Sequence, residues 1–513
     1  MQDGAESTGQ RALHWGIFPT TRHRDETLTD QTPTQAAPSP AQADAPVLVV
    51  DLDGTLLRSD MLYESLWSAL SQGGWSAYRA LGELSNGKAA LKAALARHAK
   101  IDVTTLPYDA EVRQRLVDWR AKGGRTALVT ATDEALATEI ADHLELFDEV
   151  HGSDGSRNLK GAEKARFLTE RFGAKGFVYI GDSAADLEVW PDAQRAISVG
   201  ASARTRAALD AGDVPVEHLD RPTPHSALRR AIRPQQWLKN LLVLVPLIAD
   251  PSHGLGSLLP IMAAFVALSA AASAGYLIND LLDLSDDRSH PRKRTRPFAS
   301  GALSPALGTL AIPVLLLVAL GTALLVSAAL LATVALYFVA TVAYSVRLKR
   351  HTMLDICLLA FLFTLRIIAG GVAMGSGLSV WILAFSMFIF FALAAVKRLA
   401  ELTDAETAGR ETSRRGYVPE DRRIISQMAI TSGYLAVLVL ALYVDEPTTQ
   451  AKFGTPWLLW GVCPLLIFWV SRMVLVADRG QMHDDPMVYS LTNPTSRLVV
   501  LFCAILVAGA VFL

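Results

Sequence analysis

From residue 226 to the C-terminus the chain is written as long apolar runs broken by short polar connections. Nine are read, near residues 237–250, 257–279, 307–325, 328–346, 353–374, 378–397, 425–444, 456–476 and 496–513. Several reach the ~20 apolar residues that a helix needs to cross a bilayer. The first is short and is interrupted by Pro246. Ahead of residue 226 the pattern changes. VLVVDLDGTLL (47–57), RTALVTATD (125–133) and GFVYIGDSAADLEVW (176–190) each contain a short, continuous apolar run. Such runs predict strands buried on both faces, as in a parallel sheet with helical crossovers. Residues 61–120 between the first two read mostly as amphipathic helix. The polar stretch 1–46, enriched in Pro, Ala, Thr and Gln towards its end, reads as a disordered lead-in without a signal-peptide pattern.

The organisation expected is therefore a disordered arm over 1–45, an α/β domain over 46–215, a Pro-containing linker over 216–232, and an all-helical polytopic membrane domain of about nine transmembrane helices over 233–513. The composition, 51% hydrophobic and 19% charged over 513 residues, suits a chain partly in lipid. The net charge of -2 hides a division: residues 1–225 carry 24 Lys+Arg against 33 Asp+Glu, and residues 226–513 carry 24 against 17. An acidic soluble part joined to a membrane part with basic loops gives no special support to nucleic-acid binding. The basic residues fall on alternate connections: Arg229, Arg230, Arg233 and Lys239, then the 280–305 connection, then Arg347, Lys349 and Arg350, then 397–423, then Arg472, Arg479 and Arg497. The opposite connections hold only Lys452. This alternation predicts an integral membrane protein of bacterial inner-membrane type, with the N-terminal domain in the cytoplasm and the C-terminus outside. Cys357, Cys463 and Cys503 all lie in apolar runs, so no disulfide framework or zinc spacing is present.

The strand ends carry the chemistry of the first domain. Asp51 and Asp53 end the first run, Thr130 ends the second, and Asp182 follows the third with Asp186 four residues later; Lys160 and Lys164 lie on the helix between. The C-terminal edge of a parallel sheet is where such groups converge. Matched residue by residue, this set resembles the haloacid-dehalogenase (HAD) superfamily of phosphotransferases, with its Rossmannoid α/β fold and a small helical cap. The resemblance implies that Asp51 is the nucleophile and Asp53 the general acid/base. It implies that Thr130 holds the phosphoryl oxygens and that Lys164, preferred to Lys160, neutralises charge. Asp51, Asp53, Asp182 and Asp186 would form the Mg²⁺ group. A carboxylate attacks a phosphate dianion only where metal and lysine cancel the repulsion.

In the second part, residues 279–301 read NDLLDLSDDRSHPRKRTRPFASG. If the helix continues through them, Asn279, Asp280, Asp283 and Asp287 recur at three- and four-residue steps on one face. Carboxylates so clustered suit Mg²⁺, which takes carboxylate and phosphate oxygens together. The motif resembles the first aspartate motif of the UbiA superfamily of intramembrane prenyltransferases, which implies a diphosphate held through Mg²⁺ by Asp280, Asp283 and Asp287. The second motif of that family is matched by Tyr344, Lys349 and Asp355, with one aspartate where many members have two. Asp355 and Arg366, eleven residues apart, are expected on one face of their helix.

The stretches RPQQWLKNLLVLVP (233–246) and DDRSHPRKRTRP, with Lys397 and Glu401 in KRLAEL, resemble the branch that joins phosphoribosyl pyrophosphate (PRPP) to a polyprenyl phosphate. Two anionic substrates need many cations, and Lys239, Arg292, Lys293, Arg294, Arg296, Lys349, Arg366, Lys397 and Arg398 offer them. The segment 411–421 is a candidate loop over this site. The expected activity is transfer of 5-phosphoribosyl to the lipid phosphate, with the first domain hydrolysing a phosphomonoester, the ribose 5-phosphate of the product. Two alternatives are a prenyltransferase acting on an aromatic or other acceptor beside an independent phosphatase, and a membrane scaffold or transporter carrying a phosphatase.

Overall fold

The structure, a computed structural model, describes residues 45–513 apart from 73–78, 80–81, 87, 155–156, 223, 251–252, 378, 408–415 and 483–484. Residues 1–44 of the expected disordered arm and residues 411–415 of the 411–421 loop lie outside the described residues.

The first part is built on six parallel strands: β1 (Val47–Val50), β2 (Thr126–Asp133), β3 (Glu149–Ser153), β4 (Phe177–Gly181), β5 (Arg195–Val199) and β6 (Val216–Leu219). Their spatial order is β3-β2-β1-β4-β5-β6. Leu48 pairs with Thr126 on one side and Val178 on the other. Alternate residues feed different faces, as the two-residue period of a strand requires: Leu48, Val50, Leu128, Val178 and Ile180 pack in one core, Val47, Val49, Val129, Phe177 and Tyr179 in the other. The three strands read from the sequence are the central ones, β2-β1-β4, and the chain order reverses at β1. Between β1 and β2 the helices Met61–Ser71 and Lys88–His98 pack through Ala69, Leu91, Ala94 and Leu95 to form a small cap.

The second part is all-helical, and among the described residues eight helices are long and apolar enough to cross a membrane: Leu258–Leu282, Pro305–Val326, Ala328–Val346, Leu354–Met374, Val380–Thr407, Pro419–Asp445, Pro456–Asp478 and Pro494–Phe512. Their outer faces leave large apolar side chains uncovered, Leu310, Leu317, Leu325, Val339, Leu438 and Ile505 among them, as lipid-facing surfaces do. The expected first helix, 237–250, is not one long helix. It is a 3₁₀ stretch, Pro234–Leu244, followed by a short α-helix, Val245–Ala249. At ~2.0 Å per 3₁₀ residue and ~1.5 Å per α residue the two rise roughly 30 Å together, about a bilayer core. The segment does traverse the bundle: Arg233 at its start is ion-paired with Asp280, while the Ala249 carbonyl at its end accepts from the Tyr443 hydroxyl (3.1 Å) and Asp250 pairs with Lys452 (2.8 Å). A Cβ on Gly370 would collide with the Val243 carbonyl, so the glycine admits this thin, tightly wound segment against the Leu354–Met374 helix. The last helix ends near the same face, where Thr455 donates to the Gly509 carbonyl (3.0 Å).

The two parts are packed together. Trp67 of the cap lies in an apolar cluster with Ala227, Ala231, Leu277, Leu281, Leu284 and Phe298, and its indole donates to Thr309 (2.8 Å). Beside it, Glu64 of the cap and Arg288 form an ion pair at 2.6 Å, with side chains only 4% and 5% exposed.

Candidate functional sites

The first site forms where β1, β2 and β4 end. The Asp51 carboxylate accepts from the Leu52 N–H (2.8 Å) and lies 2.9 Å from the Lys164 ammonium. Lys164 comes from the Ala162–Phe172 helix and is buried; it donates to the Tyr179 hydroxyl (3.0 Å), which donates to Asp186 (2.8 Å). The other Asp186 oxygen accepts from the backbone of Asp182 (3.2 Å) and Ser183 (2.9 Å) and from the Ser183 hydroxyl (3.0 Å). Lys160 is exposed, so the lysine at Asp51 is Lys164. Gly54, at φ +73°, lies against the Asp182 carboxylate, where a Cβ would collide. Arg221, following β6, fastens this loop by donating to the carbonyls of Gly54 and Thr55 and to Asp109.

One oxygen each from Asp51, Asp182 and Asp186 lies within 4.8 Å of the others. Asp53 stands outside that group, a correction to its expected place among the ligands. Its carboxylate instead accepts from the Met61 N–H and the Thr132 hydroxyl, both at 2.7 Å. Thr130 is fully buried within β2, where the pairing with β3 shifts register, its hydroxyl accepting from the Thr132 N–H (3.1 Å). Burial pushes Asp51 up to about 6 against the pull of Lys164, with Asp186 and Asp53 adding to the rise. Burial, then Asp60, push Asp53 up to about 6. Burial and its carboxylate neighbours raise Asp182 well above the usual range. Three crowded hard oxygen donors with a single lysine are short of positive charge, and Mg²⁺ fits them by charge and ligand type. Held by Asp51, Asp182 and Asp186, it would supply charge neutralisation for a bound phosphate.

This crowding has a sign. Asp51 and Asp53 titrate near 6 when folded and near ~3.9 when unfolded, so the metal-free native state binds more protons between those values. Their contribution to stability is present below the unfolded value and is lost as pH rises through about 6. Mg²⁺ is therefore expected to raise the melting temperature of this domain more at pH 7.5 than at pH 5, read by thermal unfolding with EDTA or Mg²⁺. An equal shift at both values would contradict the charge crowding.

The second site lies at the end of the Leu258–Leu282 helix. Asp283 caps that helix and a short one, Leu284–Ser289, follows, but the Asp287 N–H still donates to the Asp283 carbonyl (2.8 Å), so the turn is hardly interrupted. Each acid is answered by a cation. One Arg233 nitrogen lies 2.7 and 2.6 Å from the two Asp280 oxygens. Arg296 bridges Asp280 (3.1 Å) and Asp287 (2.7 Å). Lys349 binds both Asp283 oxygens (2.8 Å) and Asn279 (3.2 Å). Among the described residues, the second Asp287 oxygen, Oδ1, is buried without a hydrogen-bond partner. As arranged, Asp280, Asp283 and Asp287 are each paired with a guanidinium or ammonium group.

Deeper in the bundle, Lys239 and Lys397 both bind Asp485, each at 3.1 Å. Arg366 lies between the rings of Tyr337 and Phe363 and donates to Asn240 and to the Tyr337 hydroxyl, both at 2.8 Å. The shared face expected for Asp355 and Arg366 does not bring them together. Asp355 is bound by Arg398 and by the Tyr417 hydroxyl (2.5 Å), while Arg398 also reaches Glu401 and Tyr344. Helical spacing fixes a face, but partners nearer on other helices satisfied each group first. Arg292, Lys293 and Arg294 are exposed, with Arg292 near Asp404 (3.3 Å), so of the basic run only Arg296 reaches the acids. Sequence reasoning did not assign Arg233, Asp485, Tyr337 or Tyr417 to the site. Arg233 stood in a quoted motif and Tyr417 in the candidate loop 411–421; Asp485 and Tyr337, single polar residues in a loop and an apolar helix, gave no signal.

Known proteins resemble the chain along both parts. The model of the UbiA prenyltransferase family matches residues 242–511, and that of the haloacid dehalogenase-like hydrolases matches residues 48–190. An uncharacterised protein, y4nM, of Sinorhizobium fredii is 37% identical over 462 residues, covering 88% of each chain. The nodulation protein NoeC of Azorhizobium caulinodans is 35% identical over 56% of this chain and 94% of its own. A decaprenyl-phosphate phosphoribosyltransferase of Mycolicibacterium smegmatis is 36% identical over 54% of this chain and 89% of its own. The chain thus belongs to the UbiA prenyltransferase family and carries a haloacid dehalogenase-like hydrolase domain ahead of its membrane helices.

Proposed function

We propose that the membrane domain transfers 5-phosphoribosyl from PRPP to a polyprenyl phosphate, and that the hydrolase domain then removes the 5-phosphate of that product. An oxygen of the lipid phosphate attacks the anomeric carbon, the bond from that carbon to the diphosphate oxygen breaks, and diphosphate leaves. The observation that carries this reading is the number of cations facing inward from an apolar bundle: Arg233, Arg296 and Lys349 at the acids, and Lys239, Lys397 and Arg366 beyond them. Asp280, Asp283, Asp287 and Asp485 offset four of these six charges, and the surplus, with the pairs a substrate can open, suits phosphate-bearing groups on both donor and acceptor. The similarity to a decaprenyl-phosphate phosphoribosyltransferase supports the same donor and acceptor classes.

In the hydrolase domain, Asp51 attacks phosphorus while Lys164 and Thr130 steady the phosphoryl oxygens. Asp53, held by Met61 and Thr132, gives its proton to the departing sugar oxygen and then takes one from the water that frees Asp51. The ends of the bundle support a cytosolic hydrolase domain and an external C-terminus, since Arg233, Lys349 and Arg350 lie at the aspartate end and Lys452 at the other.

Membranes containing the protein, given PRPP labelled in the ribose and polyprenyl phosphate, should yield a labelled lipid on thin-layer analysis of the extract. If no label enters lipid from PRPP, and diphosphate is released instead from a prenyl diphosphate and an aromatic acceptor, the donor assignment is wrong.

A further inference from the structure

Lys239, Lys397 and Asp485 meet from three separate parts of the bundle. Lys239 stands in the Pro234–Leu244 crossing segment, Lys397 in the Val380–Thr407 helix, and Asp485 just before the short Pro486–Thr492 helix. One Asp485 oxygen, Oδ2, takes both ammonium groups, each at 3.1 Å, while Oδ1 caps the short helix by accepting from the Met487 N–H (3.0 Å). Two ammonium groups on one oxygen repel each other, so the anchored carboxylate is what holds them side by side. An ammonium has three donors, and among the described residues each of these makes that one hydrogen bond. Arg366 approaches the same Phe363 ring as Lys239, at 4.9 and 5.8 Å from its centre, and its own hydrogen bonds go to neutral groups: Asn240, the Tyr337 hydroxyl and the Leu362 carbonyl. Glu401, one turn beyond Lys397, is held by Arg398. Among the described residues, Lys239, Lys397 and Arg366 therefore share the single carboxylate of Asp485.

This group is open to a ligand. The side chains of Lys239, Lys397 and Asp485 are 13%, 32% and 20% exposed, whereas those of the neighbouring pair Arg398 and Asp355 are 1% and 0%. At three residues per turn the crossing segment has three faces. Asn240 and Val243 are buried, Leu242 packs with the Val380–Thr407 helix, and Leu238 and Leu241 are uncovered, as lipid-facing side chains are. Lys239 thus adjoins the uncovered face, and a hydrocarbon chain lying along Leu238 and Leu241 brings its head to the ammonium. From Arg233, which answers Asp280, the segment rises about 12 Å to Lys239, so a sugar fits between an anion at the acids and one at the lysines. We propose that Lys239 and Lys397, kept together by Asp485, form the subsite for the phosphate head of the acceptor lipid, apart from the donor's place at Asp280 and Asp283. The inference rests on reading the membrane domain as a transferase with a lipid phosphate as acceptor, and it deepens that reading.

The test uses the full-length protein in detergent with Mg²⁺, labelled PRPP and polyprenyl phosphate, each varied in turn. Lys397→Met and Lys239→Met should each raise KM for the lipid by roughly 10- to 100-fold, the range for a lost charge-assisted bond, with KM for PRPP changed less than about twofold. Lys397→Arg should keep most of the affinity. Asp485→Asn, which lets the two ammonium groups drift apart, should raise KM for the lipid about threefold or more. Binding is read separately, without PRPP, by thermal unfolding. Polyprenyl phosphate should raise the melting temperature of the wild type but not of Lys397→Met, and neither polyprenol nor inorganic phosphate should match it. A larger effect of the lysine variants on KM for PRPP than on KM for the lipid would overturn the subsite while the transfer stood. So would a lower KM for the lipid in Asp485→Asn, or an equal shift with polyprenol or inorganic phosphate. A lysine-dependent shift with polyprenyl phosphate but no labelled lipid from PRPP would keep the subsite and remove only the proposed donor.

Discussion

In the full-length protein, Asp51→Asn should reduce phosphate release by about three orders of magnitude or more, because the substitution removes the attacking oxygen and leaves shape and hydrogen-bonding volume almost unchanged. Lipid ribosylation should proceed, and a lipid that keeps its 5-phosphate should accumulate. Misfolding does not offer an easy escape from this result. Asp51 is buried with its carboxyl pushed up to about 6, so a neutral amide relieves repulsion, and the metal-free variant should melt no lower than the wild type at pH 7.5. Asp280→Asn should give the mirror image. Its carboxylate is 1% exposed and answers both Arg233 and Arg296, so the amide leaves two guanidinium groups short of a counter-charge where the diphosphate is proposed to bind. Transfer should fall by about a hundredfold or more, while hydrolysis of a soluble phosphomonoester stays within about twofold. If Asp51→Asn abolished lipid labelling as well, the two reactions would not be sequential steps on separate sites.

The parts of this arrangement that could be read from the sequence share a physical reason. β1, β4 and the Ala127–Val129 run of β2 are buried on both faces and apolar, and Asp51, Asp182 and Thr130 follow directly on them, so strand and site were legible together. β3 (EVHGS), β5 (RAISV) and β6 (VEHL) are short and partly polar. Glu149 of β3 is held by Arg125 and Arg171, contacts that no local pattern announces. The aspartate motif was visible because its carboxylates repeat with the helix. Arg296 and Lys349 were read as cations for the substrates, but their pairing with these acids, and that of Arg233, was not legible, because the contacts join segments far apart along the chain. The first crossing was expected as an ordinary helix and is instead a 3₁₀ stretch fitted against Gly370, a choice made by the neighbouring helix rather than by propensity. Nor did anything in the cap helix or the basic run mark Glu64 and Arg288 as partners.

That pair supports the other large expected effect. Glu64→Ala leaves the Arg288 guanidinium buried and unpaired, a change that costs about 3–5 kcal/mol. The Trp67–Thr309 bond and the apolar cluster around Trp67 remain, so the expected result is loosened docking of the hydrolase domain rather than unfolding of the chain. The connection between β6 and the membrane helices should then be cut much faster by a soluble protease. Glu64 also accepts from Ser59, and one turn earlier on the same helix the Met61 N–H holds Asp53 at 2.7 Å. Displacing the helix start moves the general acid, so kcat for phosphate release should fall about tenfold with KM little changed. Arg288→Lys should reproduce much of this, since an ammonium cannot span the two Glu64 oxygens that the guanidinium binds at 2.6 and 3.1 Å. The exchange Glu64→Arg with Arg288→Glu should recover part of the protease resistance. If Glu64→Ala left both cleavage and phosphate release unaltered, the buried pair would not join the domains, and the contact between cap and aspartate helix would rest on the apolar cluster around Trp67.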